Sequence, residues 1–490
     1  MSTPVASVGQ EHEHRLTKGT IGFWEAFAMS LEAMGPILGA LSVAPLIVMF
    51  AGFSAPFIVL IAGIAMFAVA IVIARFSRIL PSAASIYTYI SHGLGERAGF
   101  LSAWVSYMYY FLFPPSLAIG MGLYGEQMGN YVFNVEIAWY WWAIAGALIA
   151  FGLSYVGIRL SMRVDLVLAV IADVVLLAVS VGVIASVIAK GKFTLEPLLP
   201  THVSSGDMTG LSLAIAFGVL IFLGYEQSFT LGEEVRDPHG DVPRAIFVSL
   251  AAIGLLLLVS CFAMVLGFGA SGMGHLTDAF NKDGTPYWQL IQSNIDPGWR
   301  TALQIVAVTS VLGNLIASHN CVVRIEYGMG RAGAFPGPMG WTSRRWGTPY
   351  VAIIVQTIAT IGIVVGVALW WNDVVAFGFI SFIEGLAASV AFILIMAAAL
   401  RYFHRVKPND SAWVNYVIPI IGILILIPPV FTSFYPAPAP PADKAPYVIL
   451  GWMIIGVAYL IWRESRKQKI DINYAFKEIG EAPPVEVKPD

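Results

Sequence analysis

Long apolar runs, separated by short polar linkers, recur along the whole of this 490-residue chain. A helix that crosses about 30 Å of hydrocarbon at about 1.5 Å per residue needs about 20 largely apolar positions. Runs that meet this requirement fall at 22–50, 54–74, 98–124, 137–156, 164–188, 211–231, 243–268, 299–322, 350–369, 374–400, 412–433 and 446–462. The pattern predicts an all-α membrane protein of twelve transmembrane helices, and the first run is long enough for two half-helices.

Two runs are interrupted. The first contains Glu32-Ala33-Met34-Gly35-Pro36-Ile37-Leu38-Gly39. Its proline withdraws an N–H and clashes with the preceding turn, while the glycines tolerate the displaced backbone. A simple proline kink would account for this run taken alone. The sixth run contains Phe222-Leu223-Gly224-Tyr225-Glu226, an apolar stretch with a glycine and a carboxylate at its middle. Unpaired backbone at bilayer depth persists only where protein or a water-filled cavity satisfies it. Two such interruptions, five helices apart, suit a pair of inverted five-helix repeats that hold a solute between them. The chain then divides into an N-terminal tail (1–20), a first repeat (21–190), an external loop (191–210), a second repeat (211–405), two further helices (406–463) and a C-terminal tail (464–490).

Charge orients this scheme. With the N-terminus inside, 22 of the 27 lysines and arginines fall on cytoplasmic segments, which places both termini in the cytoplasm of a multi-pass plasma-membrane protein. Apolar residues make up 58% and charged residues 12%, outside the range of soluble domains and consistent with a lipid bilayer as solvent. The polar first 20 residues predict no cleavable secretory leader. Cys261 and Cys321 lie within apolar runs, so no disulfide framework is expected. Basic residues do not cluster with aromatics, and no nucleic-acid partner is expected. The PAPAPP segment at 436–441 reads as a stiff connector.

Chemistry concentrates around the interruptions. Half-helix N-termini suit a carboxylate and unwound carbonyls suit an ammonium, so such a site favours a zwitterion. Its predicted lining is Met34, Gly35, Pro36, Ile37 and Gly39 from the first run and Phe222, Gly224 and Tyr225 from the sixth. Tyr107 and Tyr110 would supply an aromatic wall and Phe222 a gate. Carboxylates at membrane depth are costly and mark pathways or partners; here they are Glu32, Asp173, Glu226 and Glu384. Asp173 has no basic neighbour within a turn, so it must be protonated, bind a cation or pair with another helix. Glu226 is a candidate gate or brace of the unwound segment; Ser310 and Asn314, polar groups on the eighth helix where it would face Asp173, are further coupling or gating candidates. Glu32 and Glu384 carry no assigned role. The histidines are scattered, with no nucleophile–base pair and no metal-ligand spacing, so neither an enzyme nor a metal or cofactor site is indicated. A solute transporter fits this pattern better than a ligand-sensing receptor or a channel.

Four stretches resemble the amino acid–polyamine–organocation (APC) superfamily of permeases. Leu80-Pro81-Ser82-Ala83-Ala84-Ser85-Ile86-Tyr87-Thr88-Tyr89, with Leu94-Gly95-Glu96-Arg97-Ala98-Gly99-Phe100 and Trp104, is similar to one family signature. Phe222 to Glu226, then Glu233-Glu234-Val235-Arg236-Asp237-Pro238 and Val242-Pro243-Arg244-Ala245-Ile246, is similar to a second. The third and fourth are the run from Ala317 to Pro336 and the Thr348-Pro349 pair. The resemblance implies an inverted-repeat fold, alternating access, and uptake or exchange of an amino acid or small amine coupled to protons or another monovalent cation. It also implies that Met34 to Gly39 and Phe222 to Glu226 line the solute site. Two departures stand out. Pro36 cannot donate where family members present glycine N–H groups. Asp173 occupies the place, aligned through Gly157 and Ser161, where proton-coupled relatives carry a lysine. With four membrane carboxylates and no membrane lysine, a polyamine or other cationic amine is the alternative substrate.

Overall fold

A computed structural model of the chain describes residues 22–80, 85–156, 161–201, 208–226, 240–331, 333–343, 345–407 and 410–466. Both predicted tails beyond these limits, Pro81 to Ala84, Gly157 and the Glu233–Pro238 signature lie outside the described residues, as does the Glu32 side chain.

The described residues are helices and connecting turns, without β-strands. The first run folds as α1 (Phe23–Ala33), a one-turn α2 (Pro36–Leu38) and α3 (Ala44–Ala51), with a π-helical turn over Gly39–Val43. Then come α4 (Ala55–Ile79), the short α5 (Ser85–Leu94), α6 (Glu96–Met128), α7 (Trp139–Val156) and α8 (Ser161–Ala189). The sixth run contributes α9 (Met208–Leu220), which stops where the turn through Glu226 begins. It is followed by α10 (Asp241–Phe268) and two short connecting helices, α11 (Met273–Asp283) and α12 (Tyr287–Asn294). The remainder is α13 (Gly298–Arg331), α14 (Tyr350–Ala368), α15 (Asp373–Val406), α16 (Ile418–Thr432) and α17 (Ala445–Ser465).

Nine helical stretches among the described residues are long and apolar enough to cross a bilayer, against twelve runs in the sequence pattern. The difference has three physical sources. Pro36–Ile79 forms one 44-residue stretch that joins the second half of the first run to the second run. The 33-residue α6 is diluted by glycine, serine and tyrosine, and α9 is cut to 13 residues by the break that follows it.

Burial separates an inner set of helices from an outer set. The most apolar window of α15 is 78% buried, whereas that of α17 is 22% and that of α16 is 28%. The central helix α6 packs on both α13 and α15, α1 lies on α10, and α3 and α4 lie on α9. Outer faces present Leu148, Leu153, Val174, Ile358, Leu424 and Ile454 to the surroundings. In water such a belt would cost about 25 cal/mol per Å² of apolar surface; against lipid tails it costs nothing. Polar ties stitch the outer helices on. The Arg75 guanidinium donates to Asn415 Oδ1 at 2.6 Å and pairs with Asp410, and Arg97 forms a two-pronged pair with Glu464.

Candidate solute-binding site

Both interruptions turn on a glycine in the left-handed half of backbone space: Gly35 at φ 54° and Gly224 at φ 110°. Residues with a Cβ rarely adopt these angles. The two breaks also touch. A Cβ at Gly224 would overlap the Ala33 carbonyl and lie 2.9 Å from the Met34 nitrogen, and a Cβ at Gly35 would overlap the Asn314 amide. Ser30 Oγ donates to the Tyr225 carbonyl at 3.2 Å, a second link between the breaks. Chain segments about 190 residues apart thus meet backbone to backbone, which only glycine at the contact allows.

The sixth-run break is braced from within. Past Leu220 the N–H groups of Ile221, Phe222 and Leu223 bond to Phe217, Val219 and Leu220 carbonyls at 3.0–3.1 Å. The Gly224 N–H then donates to Glu226 Oε2 at 3.1 Å. The other carboxylate oxygen of Glu226 accepts from the Tyr109 and Tyr110 hydroxyls of α6 at 3.4 and 3.3 Å. Glu226 is therefore a clamp between the unwound segment and α6.

Beside this junction lies a narrow cavity of about 30 Å³, room for roughly two water-sized groups. Met34, Gly35, Leu38, Gly39 and Val43 form its wall on the first-run side, Leu220 and Ile221 on the sixth-run side. The α6 residues Phe113, Ser116 and Leu117, Asn314 of α13, and Phe377, Ser381 and Glu384 of α15 complete it.

The predicted site residues separate into two groups. Met34, Gly35, Gly39 and Asn314 line the cavity, and Glu384 joins them. Pro36 and Ile37 are buried in the same break without lining it, and Ser310 is buried one turn before Asn314 without reaching it. Gly224, Tyr225 and Glu226 build the junction rather than the wall. Phe222 does not line the cavity: its ring lies between Gly63 of α4 and Gly254 of α10, where added Cβ atoms would stand 3.4 and 3.1 Å from it. The tight turn after Leu220 carries Ile221, not Phe222, to the cavity. Tyr107 and Tyr110 also leave the predicted wall. Tyr110 holds Glu226, and the Tyr107 hydroxyl donates to Glu326 Oε1 at 2.7 Å. Tyr107 instead lines a separate aromatic hollow of about 260 Å³ with Trp104, Phe335 and Tyr459. Asp173 is half-buried on α8 and does not line the cavity; its Oδ1 has no hydrogen-bond partner among the described residues.

Sequence reasoning missed Ser116, Ser381 and Glu326. Glu326 lies beyond the apolar run at 299–322, but α13 continues to Arg331 and keeps it wholly buried. It follows His319 by seven residues, two helical turns, which places both on one face. On that face His319 bonds Ser154 at 3.2 Å and Thr357 at 3.0 Å, pinning α13 to α7 and α14. No group of three or more His, Cys, Asp or Glu among the described residues could hold a metal ion.

Comparison with known proteins matches the amino acid permease family model over residues 29–474, nearly the whole chain. The chain belongs to the amino acid permease family. The permease is 26% identical to the low-affinity putrescine importer PlaP of Escherichia coli (strain K12), over 69% of this chain and 71% of that protein. It is 25% identical to the branched-chain amino acid permease BcaP of Lactococcus lactis subsp. cremoris (strain MG1363), over 86% and 89% of the two chains. With the L-asparagine permease of Escherichia coli (strain K12) it shares 25% over 80% and 78%. These relatives are transporters, not enzymes. The permease is accordingly a multi-pass secondary transporter of an amino-acid or amine-type solute.

Proposed function

We propose that the cavity at the meeting point of the two breaks seats the solute, and that the permease carries it across the plasma membrane by alternating access. The observation that carries this is the direct contact of Gly224 with Ala33 and Met34 beside a cavity whose apolar wall also carries Ser116, Asn314, Ser381 and Glu384. A packed membrane helix has no reason to give up its hydrogen-bond ladder twice at one spot unless the spot has a use. The scaffold in this reading is twelve-spanning, with two inverted five-helix repeats and both termini in the cytoplasm. Driving force comes from proton symport or from exchange, with Asp173 as the coupling carboxylate.

The relatives' named solutes differ in shape, but each carries an amine, so the shared requirement falls on the amine-binding part of the site. At about 30 Å³ the cavity holds a head group and not a whole amino acid. Loading therefore requires the half-helices or α15 to move, as alternating access demands. Reconstituted in liposomes, the permease is expected to show saturable uptake and counterflow of an amine-bearing solute. Non-saturating flux without counterflow would make it a channel; solute binding without flux would make it a receptor.

A further inference from the structure

The aromatic hollow of about 260 Å³ is set apart from the central cavity. Its Tyr107 lies about 14 Å along α6 from the cavity residue Ser116, at about 1.5 Å per residue. Trp104 and Tyr107 of α6 form its floor; Phe335, Pro336 and Met339 of the α13–α14 connection and Tyr459 of α17 form its sides. Phe335 stands edge-on to Trp104 at 87° and to Tyr107 at 72°. Every side-chain N–H and O–H of this lining is committed elsewhere. The Tyr107 hydroxyl donates to Glu326 Oε1 at 2.7 Å, the Trp104 Nε1–H to the Trp452 carbonyl at 2.8 Å and the Tyr459 hydroxyl to the Ala334 carbonyl at 2.8 Å. A buried water needs two to four polar partners and finds no side-chain donor here, so the hollow suits a hydrocarbon occupant.

Its place in the fold says which hydrocarbon. α17 is an outer helix, and Ile455, Ile461 and Trp462 around Tyr459 are exposed. The hollow thus lies beside the lipid-facing belt, where acyl chains are the hydrocarbon at hand. Charge gathers where α17 ends. Arg463 lies one turn beyond Tyr459, its guanidinium 5.9 Å from that ring, and Arg466 falls two turns beyond Tyr459. The sequence continues with Lys467 and Lys469, so four basic residues stand within seven positions against one carboxylate, Glu464. Glu464 is itself taken up by Arg97. A basic cluster directly after a membrane helix attracts anionic head groups.

We infer that the hollow and the basic end of α17 form one site for an anionic phospholipid of the surrounding bilayer. An acyl chain lies against Trp104 and Phe335, and the phosphate lies at the basic cluster. Bound there, the lipid ties α17 to α6 and to the α13–α14 connection, away from the solute cavity.

The test adds phosphatidylglycerol, or phosphatidylcholine with the same acyl chains, to the full-length protein purified in detergent. Native mass spectrometry is expected to show one retained phosphatidylglycerol per chain, held at least about 10-fold more tightly than phosphatidylcholine. Met339→Trp, which fills the hollow, is expected to lose that lipid. Arg466→Gln, Lys467→Gln and Lys469→Gln together are expected to erase the preference between the two lipids. Equal affinity for both lipids in the unmodified protein overturns the inference, and so does a preference that survives the triple change. Retention of the lipid by a folded Met339→Trp protein overturns it as well. If Met339→Trp does not fold, phosphatidylglycerol brominated on its chains decides in the unmodified protein. Bromine density in an electron cryo-microscopy map is expected against Trp104 and Phe335; bromine confined to the outer helix faces overturns the inference.

Discussion

Gly224 and Phe222 stand two residues apart and have opposite characters. Gly224 combines a φ of 110° with backbone contact to Ala33, so any side chain there meets both conformational strain and a carbonyl oxygen. Gly224→Ala is expected to cost about 1–3 kcal/mol in strain alone, to lower the melting temperature and to abolish uptake. An unchanged melting temperature would show that the contact relaxes freely. Phe222 is buried in a slot between two helix glycines. Phe222→Ala is therefore expected to lose about 3–5 kcal/mol of packing while the half-saturation concentration stays put; a raised value in a stable protein would restore it as a gate. Asp173 presents an oxygen on α8 without a partner among the described residues. Proton symport predicts faster uptake as the external pH falls, and Asp173→Asn is expected to give a flat pH profile. A profile that keeps its slope in that variant would remove Asp173 from coupling.

Among the elements, the breaks were legible from Gly35-Pro36 and from Gly224 with Glu226, because proline and glycine act locally on the backbone. What each broken segment points at was not. Facing depends on the pitch of the turn after Leu220, which sent Ile221 to the cavity and Phe222 to α4 and α10. Tyr107 and Tyr110 were assigned to one aromatic wall, yet one serves Glu326 and the other Glu226, because partner helices decide which hydroxyl finds which carboxylate. Glu384 was visible as a membrane carboxylate but had no role until α15 was set beside α6 and α13. The Glu226 clamp has its own test. Glu226→Gln keeps the shape and loses the charge that draws two tyrosine hydroxyls and the Gly224 N–H. Slower transport with a lowered melting temperature is expected; wild-type values for both would make the clamp decorative.

For the whole molecule, the membrane spans were readable from run length alone, since a span must be long and apolar whatever it packs against, but which of them lie at the centre was not. The count was harder to read, because one stretch of 44 residues covers parts of two runs and polar α6 hides in the centre. Sidedness is open to a direct check. Both native cysteines are buried, so an introduced thiol is the reactive one. Lys192→Cys is expected to react with an impermeant maleimide on intact cells, and Arg345→Cys only after permeabilisation; the reverse pattern would invert the topology. The central claim, that the two touching breaks and α15 together hold the solute, is tested most directly by an electron cryo-microscopy map of the permease saturated with a transported amine. Solute density is expected between Gly35, Ile221 and the Glu384 carboxylate, with both breaks intact. Continuous helices through Gly35 and Gly224, or solute density remote from both, would contradict it.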